Sequence, residues 1–120
     1  MAVNIRLPWP PSLNRSVRHT GNGHYVSKAG KQFRAAAIAE VWSQLGVPIA
    51  PLGRCRIALQ LTPPTRQKRD ADNHIKPVLD ALVHAKLIAD DNQRHVKEVR
   101  AEWTDVVESP GCCDVFIEEL

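Results

Sequence analysis

A chain of 120 residues, 43% of them hydrophobic, can build one domain around a single core. No run approaches the ~18 apolar residues of a membrane-spanning helix, and the start lacks the basic and apolar regions of a secretory leader. The net charge of +3 hides a segregation: residues 1–69 hold eleven Lys or Arg against one acid, Glu40, and residues 70–120 hold five against twelve.

A cationic half of this kind suits a polyanion, nucleic acid foremost. Chance segregation of ordinary surface charge gives the same count. The three cysteines form no Cys-x-x-Cys pair and have no His at zinc spacing. They read as reduced thiols of a cytoplasmic protein, with Cys55 in the core.

In chain order, Ala2–Leu7 puts Val3, Ile5 and Leu7 on one face of a half-buried strand. Pro8, Pro10 and Pro11 end it, because proline donates no ladder hydrogen bond. Residues 12–26 carry no periodicity and no acid. They read as a loop with a tight reversal at Gly21-Asn22-Gly23. Arg15, Arg18 and the aromatic Tyr25 equip it to grip a phosphate backbone. It is no P-loop, since Tyr25 stands where a glycine is required ahead of Lys31. Ser27 is the N-cap expected for a helix over Lys28–Leu45. There Phe33, Ala37, Val41 and Leu45, widened by Ile38 and Trp42, make a core stripe. Gly46 and Pro48 stop it, and the linker Val47–Gly53 leads into a strand over Arg54–Thr62. In that strand Cys55, Ile57, Leu59 and Leu61 alternate with their neighbours.

The chemically loaded stretch comes next: Arg66-Gln-Lys-Arg-Asp-Ala-Asp-Asn-His-Ile-Lys76. Asp70 and Asp72 point to one side if the backbone is extended. Like charges that close repel unless a cation sits between them. Hard divalent ions, Mg²⁺ with Mn²⁺ as a substitute, prefer such carboxylate oxygens. Arg66, Lys68 and Arg69 just ahead point to phosphate as the missing ligand. An acidic turn capping a helix fits the same residues. A second helix is expected over about His74–Ala85, with Ile75, Val78, Leu79, Leu82 and Val83 on one arc. Asn73, Lys76 and Asp80 cluster opposite, and free N–H groups of the first turn would favour phosphate. Pro77 fits best within that first turn.

A second acidic turn, Asp90-Asp91-Asn92, follows the helix. It reaches Asp70 and Asp72 only if the chain folds back along a helix of about 20 Å. Residues 95–104 alternate again through Val99, Ala101 and Trp103. Ser109-Pro110-Gly111 turns the chain, and Cys113, Val115 and Ile117 mark a last strand. The order strand, helix, strand, helix, strand, strand predicts a single two-layer α+β domain, helices on one face of a mixed sheet.

The segment Arg69-Asp-Ala-Asp-Asn-x-x-Lys-Pro-x-Leu-Asp-Ala-Leu82, with Asp90-Asp91-x-Gln93 behind it, resembles the RusA-type Holliday junction resolvases. Leu7-Pro-Trp-Pro-Pro-Ser-x-Asn14 and His24-x-Val-Ser27 are similar too. The resemblance covers nearly the whole chain. It implies a homodimeric, Mg²⁺-dependent endonuclease of bacteria and their prophages, cutting four-way junction DNA by symmetric paired incisions in recombination and repair. It places the catalytic and metal-binding acids at Asp70, Asp72 and Asp91, with Asp90 able to exchange roles with Asp91, and the essential lysine at Lys76. Asn14 and Asn73 lie in its motifs and join Arg15, Arg18, Arg66, Lys68 and Arg69 as expected DNA contacts. The loop ahead of Asp70 varies within the family, which leaves sequence preference open.

The chemistry is coherent without the family. Carboxylate-held metal supplies an activated water and a neutralised phosphoryl group, and Lys76 adds a cation at the scissile phosphate. A dimer matches the twofold symmetry of a junction. The rival reading is a non-catalytic basic DNA-binding module with a structural acidic turn. A calcium loop fails, because counting from Asp70 puts Ile75 where glycine is required and Ala81 where glutamate is.

Overall fold

Alternation builds the sheet. The computed structural model describes the backbone of residues 1–20, 23–46 and 50–120, and the side chains of these outside residues 16–25. Strands β1 (Ala2–Pro8), β4 (Cys55–Thr62), β5 (Val96–Trp103) and β6 (Cys112–Glu119) form one sheet in the order β1-β6-β4-β5. β4 runs parallel to β5 and antiparallel to β6, and β6 runs antiparallel to β1, so the sheet is mixed. Ile5 and Leu7, then Cys55, Ile57, Leu59 and Leu61, then Cys113, Val115 and Ile117 face inward and are buried. Their neighbours Arg6, Gln60 and Phe116 face out. Arg6 and Asp114 are register partners on that outer face and meet as a bidentate pair, Nε–Oδ1 at 2.8 Å and Nη2–Oδ2 at 3.2 Å. The carboxylate holds the Arg6 guanidinium above its usual pKa.

Helices α2 (Lys28–Leu45) and α3 (Asp72–His84) cover the inner face. Phe33, Ala37 and Val41 of α2 interlock there with Val78, Leu79, Ala81 and Leu82 of α3. Leu45 departs from the expected stripe and is exposed, while its neighbour Gln44 bonds the N–H and carbonyl of Arg6 in β1 at 2.9 and 2.7 Å. Trp42 is exposed at 39%, yet its Nε1 donates to the carbonyl of Ala85 at 3.0 Å and ties the two helices. Ser27 is the N-cap, accepting from the Gly30 N–H at 3.1 Å, and Gly46 ends α2 with φ +89°. Pro48 and part of the 47–53 linker lie outside the described residues.

The basic segment 12–26 is not the plain loop its composition predicts. It holds a four-residue helix α1 (Leu13–Ser16) and a hairpin of β2 (Val17–Thr20) and β3 (Gly23–Val26), pairing Val17 with Val26 and Thr20 with Gly23. Residues as polar as Arg18, His19 and His24 give such strands no apolar alternation to read. The reversal expected at Gly21-Asn22-Gly23 falls outside the described residues at 21 and 22. Pro8 lies within β1 rather than beyond it, which an edge strand tolerates. α3 starts at Asp72, two residues earlier than expected, and Pro77 sits inside it.

Candidate active site and nucleic-acid interface

Lys76 stands one turn into α3, and the acidic turn comes back to it. After His84 the chain leaves the helix through Lys86 at φ +67°. The N–H of Leu87 donates to the carbonyl of Leu82 at 3.0 Å, the closing bond of a helix C-terminus. Leu87 and Ile88 are buried, and Leu52 fastens them, its N–H donating to the carbonyl of Leu87 at 2.9 Å. This anchors the return and brings Asp91 to α3. Lys76 Nζ lies 2.7 Å from Asp91 Oδ2 and 3.1 Å from Asp80 Oδ1. The bond raises the pKa of Lys76 and lowers that of Asp91. The turn thus folds back as far as Lys76, one helical turn short of Asp72.

Asp90 faces elsewhere. It accepts from the N–H of Asp91 at 2.7 Å and from Asn92 Nδ2 at 3.1 Å, so it shapes its own turn. Asn92 completes that turn by accepting from the N–H of Arg94 at 3.0 Å.

Asp70 and Asp72 are exposed at the start of α3. Ala71 occupies the cap position and makes no side-chain cap hydrogen bond, so neither aspartate serves as a capping residue. The N–H groups of Asn73 and His74 are not free for phosphate. They donate to the carbonyls of Asp70 and Ala71 at 3.2 and 3.1 Å. Asp72 and Lys76 share a helix face at i,i+4, and Asp80 extends it. Among the described residues, no three acidic, His or Cys side chains stand close enough together to hold a metal ion. The donor chemistry itself, carboxylate oxygens without sulfur or imidazole, suits a hard divalent cation.

The expected DNA contacts divide. Arg15, Lys68, Arg69 and Asn73 line an open cleft of about 590 Å³ beside Asp70. Arg66 lines a neighbouring hollow of about 400 Å³ with Trp103, Val106 and Val107. Asn14 is exposed on α1. The side chain of Arg18 lies outside the described residues. Arg69 is already engaged: its guanidinium donates to Thr65 O at 3.0 Å, Gln67 O at 3.1 Å and Thr65 Oγ1 at 2.8 Å, and stands 5.5 Å from the Trp9 ring centre. It pins its own loop. Arg15 is placed through the backbone, where Ser27 Oγ donates to its carbonyl.

Sequence reasoning passed over the aromatic cluster that supports these residues. Trp9 lies 4.7 Å from His74 and 6.3 Å from Trp103 between ring centres. His74 is 3% exposed, and burial pushes its pKa down. Its Nδ1 meets the Pro10 carbonyl at 3.1 Å. A carbonyl only accepts, so the neutral ring carries its proton on Nδ1. The bond fixes the proline-rich segment against the start of α3. A tryptophan enclosed by prolines was the only hint in the sequence.

The family model for Endodeoxyribonuclease RusA matches residues 8–113. The chain is 38% identical over 87 residues to the crossover junction endodeoxyribonuclease of Enterobacteria phage HK97, covering 72% of each chain. The protein of the same name from Escherichia coli K12 is 36% identical over 90 residues, 75% of this chain and 74% of its own. That of Enterobacteria phage 82 is 38% identical over 92 residues, with the same coverage of 75% and 74%.

Proposed function

The chain belongs to the RusA endodeoxyribonuclease family, and on that premise we propose that it is a divalent-metal-dependent endonuclease that resolves Holliday junctions. It would work as a single domain over residues 1–120, paired as a homodimer, in recombination and repair. The observation that carries the reading is the 2.7 Å contact between Lys76 and Asp91, which joins the two separated halves of the motif on one face of α3. Asp70, Asp72 and Asp91 are the acids assigned to the metal, and the ion would have to draw them together, since no three such side chains among the described residues already stand close enough to hold it. Asp91 is preferred to Asp90, whose oxygens are spent on the turn. Mg²⁺ is the expected ion and Mn²⁺ its substitute; held by these carboxylates, either would supply Lewis acidity to a water and to the phosphoryl oxygens.

Lys76 holds Asp91 in place and presents a fixed ammonium to the charge that develops on the scissile phosphate. The cationic side chains of Arg15, Arg66 and Lys68 hold the DNA backbone without reading sequence. Two copies related by a twofold axis present two such sites, one for each of two strands of like polarity. The three cysteines are free, which suits a reducing cytoplasm of a bacterium. No helix among the described residues is long and apolar enough to cross a membrane.

The test is incubation with a synthetic four-way junction and with linear duplex, with and without Mg²⁺. Symmetric nicking of the junction that needs the ion is expected. Asp70→Asn, Asp72→Asn and Asp91→Asn should abolish cutting and keep junction binding. Binding without cleavage by the wild-type protein would establish the non-catalytic module instead.

A further inference from the structure

The cleft beside Asp70 is concave, of mixed character and already formed. Its volume of about 590 Å³ falls in the ~300–1,000 Å³ range of sites for small ligands. One wall is the amino-terminal half of α2, where Ala29, Gln32, Phe33 and Ala36 recur at i, i+3, i+4 and i+7 and so share a face. The opposite wall is the loop of Gln67, Lys68 and Arg69, held rigid by the three bonds of Arg69 to Thr65 and Gln67. Trp9 also lines the cleft, backed by the buried His74, which the Pro10 carbonyl holds.

The lining combines three chemistries. Apolar surface from Trp9, Phe33, Ala29 and Ala36 accepts the flat face of a base. The amides of Gln32, Gln67 and Asn73 each carry both donors and acceptors, which matches the edge of a base. Arg15 and Lys68 are exposed cations at the rim, where a phosphate would lie. A free inorganic anion has no use for the apolar wall, and an apolar ligand has none for the amides and cations. A base stacked within a duplex cannot enter a hollow; one turned out of the stack can.

We propose that this cleft receives a single nucleotide turned out of the helix at the branch point, its base between α2 and the 67–69 loop and its phosphate at Arg15 and Lys68. The proposal rests on the reading of the chain as a junction endonuclease and deepens it. Asp70 is at once a lining residue of the cleft and one of the three acids, so the captured nucleotide adjoins the scissile phosphate. Capture would fix the register of the cut relative to the branch. It would also favour branched over linear DNA, because continuous stacking is interrupted at a branch and the cost of turning a base out is lower there.

The experiment is a scan in which each nucleotide around the branch of a synthetic junction is replaced in turn by an abasic residue. Affinity is read without divalent ion, and cutting is read with Mg²⁺. One position, next to the cleaved bond, should lose about tenfold or more in affinity, the scale of one base–aromatic stack. Ala36→Phe fills the cleft from an exposed helix position, and Ala29→Leu does so independently. Both should bind the intact junction as weakly as wild type binds the sensitive abasic one, and should show no further loss on it. A flat scan with normal cutting, or filled variants that bind like wild type, overturns the pocket and leaves the endonuclease reading intact. A position-specific loss of affinity in a protein that cuts nothing keeps the pocket and overturns the reaction.

Discussion

Lys76 is the residue at which the acidic turn after α3 meets the helix. Its ammonium lies between Asp91 at 2.7 Å and Asp80 at 3.1 Å, so its charge is balanced before substrate arrives. At 50% exposure the pairs are worth little to stability, since water screens them. Lys76→Ala should therefore fold normally and lose about 100-fold or more in junction cutting, the usual cost of one transition-state donor. Matched melting curves and single-turnover rates check this, and unfolding with normal activity in the folded fraction would make the residue structural. Cys113 offers a separate test. It is fully buried, and burial pushes its thiol pKa from 9.0 up to about 12. Burial raises Cys55 in the same direction. Stability from the Cys113 thiol is complete below about pH 9 and is lost as pH rises toward 12, because the unfolded chain releases a proton that the folded one keeps. Each such group costs at most about 1.4 kcal/mol per pH unit in that window. The melting temperature should fall between pH 8.5 and 10.5. Cys113→Ala should flatten that fall, and an unchanged slope would remove the thiol as its source.

The elements were legible to different degrees, for physical reasons. β4 and α2 could be read because one face of each is buried, and burial imprints a period on the sequence. The hairpin of β2 and β3 could not, since Arg18, His19, Thr20 and His24 carry no apolar repeat. Asp70, Asp72 and Lys76 were readable as neighbours in sequence. The approach of Asp91 was not, because it depends on Leu87 and Ile88 being buried against Leu52 some thirty-five residues earlier. The Trp9–His74 contact spans nearly twice that separation. The chain reversal after α3 is also where a substitution should help. Lys86 adopts φ +67°, a left-handed position that glycine fills without steric cost. Lys86→Gly should raise stability by about 1 kcal/mol. Gly111 is the opposite case. Its φ is +84°, and a Cβ there would meet the Thr62 carbonyl oxygen and Pro64 at 3.0 Å. Gly111→Ala should destabilise by about 1–3 kcal/mol, and displace the turn that precedes Asp70. Urea titrations of the two variants give the signs directly.

At the scale of the whole molecule, charge decides how DNA is held and how salt releases it. The excess of Lys and Arg over residues 1–69 supplies the cationic surface. The structure separates those cations that face solvent from those that do not. Arg15, Arg66 and Lys68 are exposed around the two hollows beside Asp70, whereas Arg69 spends its guanidinium on Thr65 and Gln67. Each phosphate neutralised releases condensed counterions, so log affinity falls by about 0.9 per contact for each decade of salt. Phosphate contacts at Arg15, Arg66 and Lys68 alone give a slope of about −2.7 per subunit, and a dimer engaging both sides about doubles it. Arg15→Ala and Lys68→Ala should each weaken junction and duplex binding together and make the slope shallower by about 0.9 per subunit. Arg69→Ala should differ in kind. It removes a pin rather than a phosphate contact, so affinity for the junction should drop while the slope stays within error of wild type. Salt titrations of junction and duplex binding in the absence of divalent ion distinguish the two classes. If Arg69→Ala loses a full contact from the slope, its guanidinium leaves the loop to bind phosphate. If neither Arg15→Ala nor Lys68→Ala changes the slope, the DNA lies on another face of the protein.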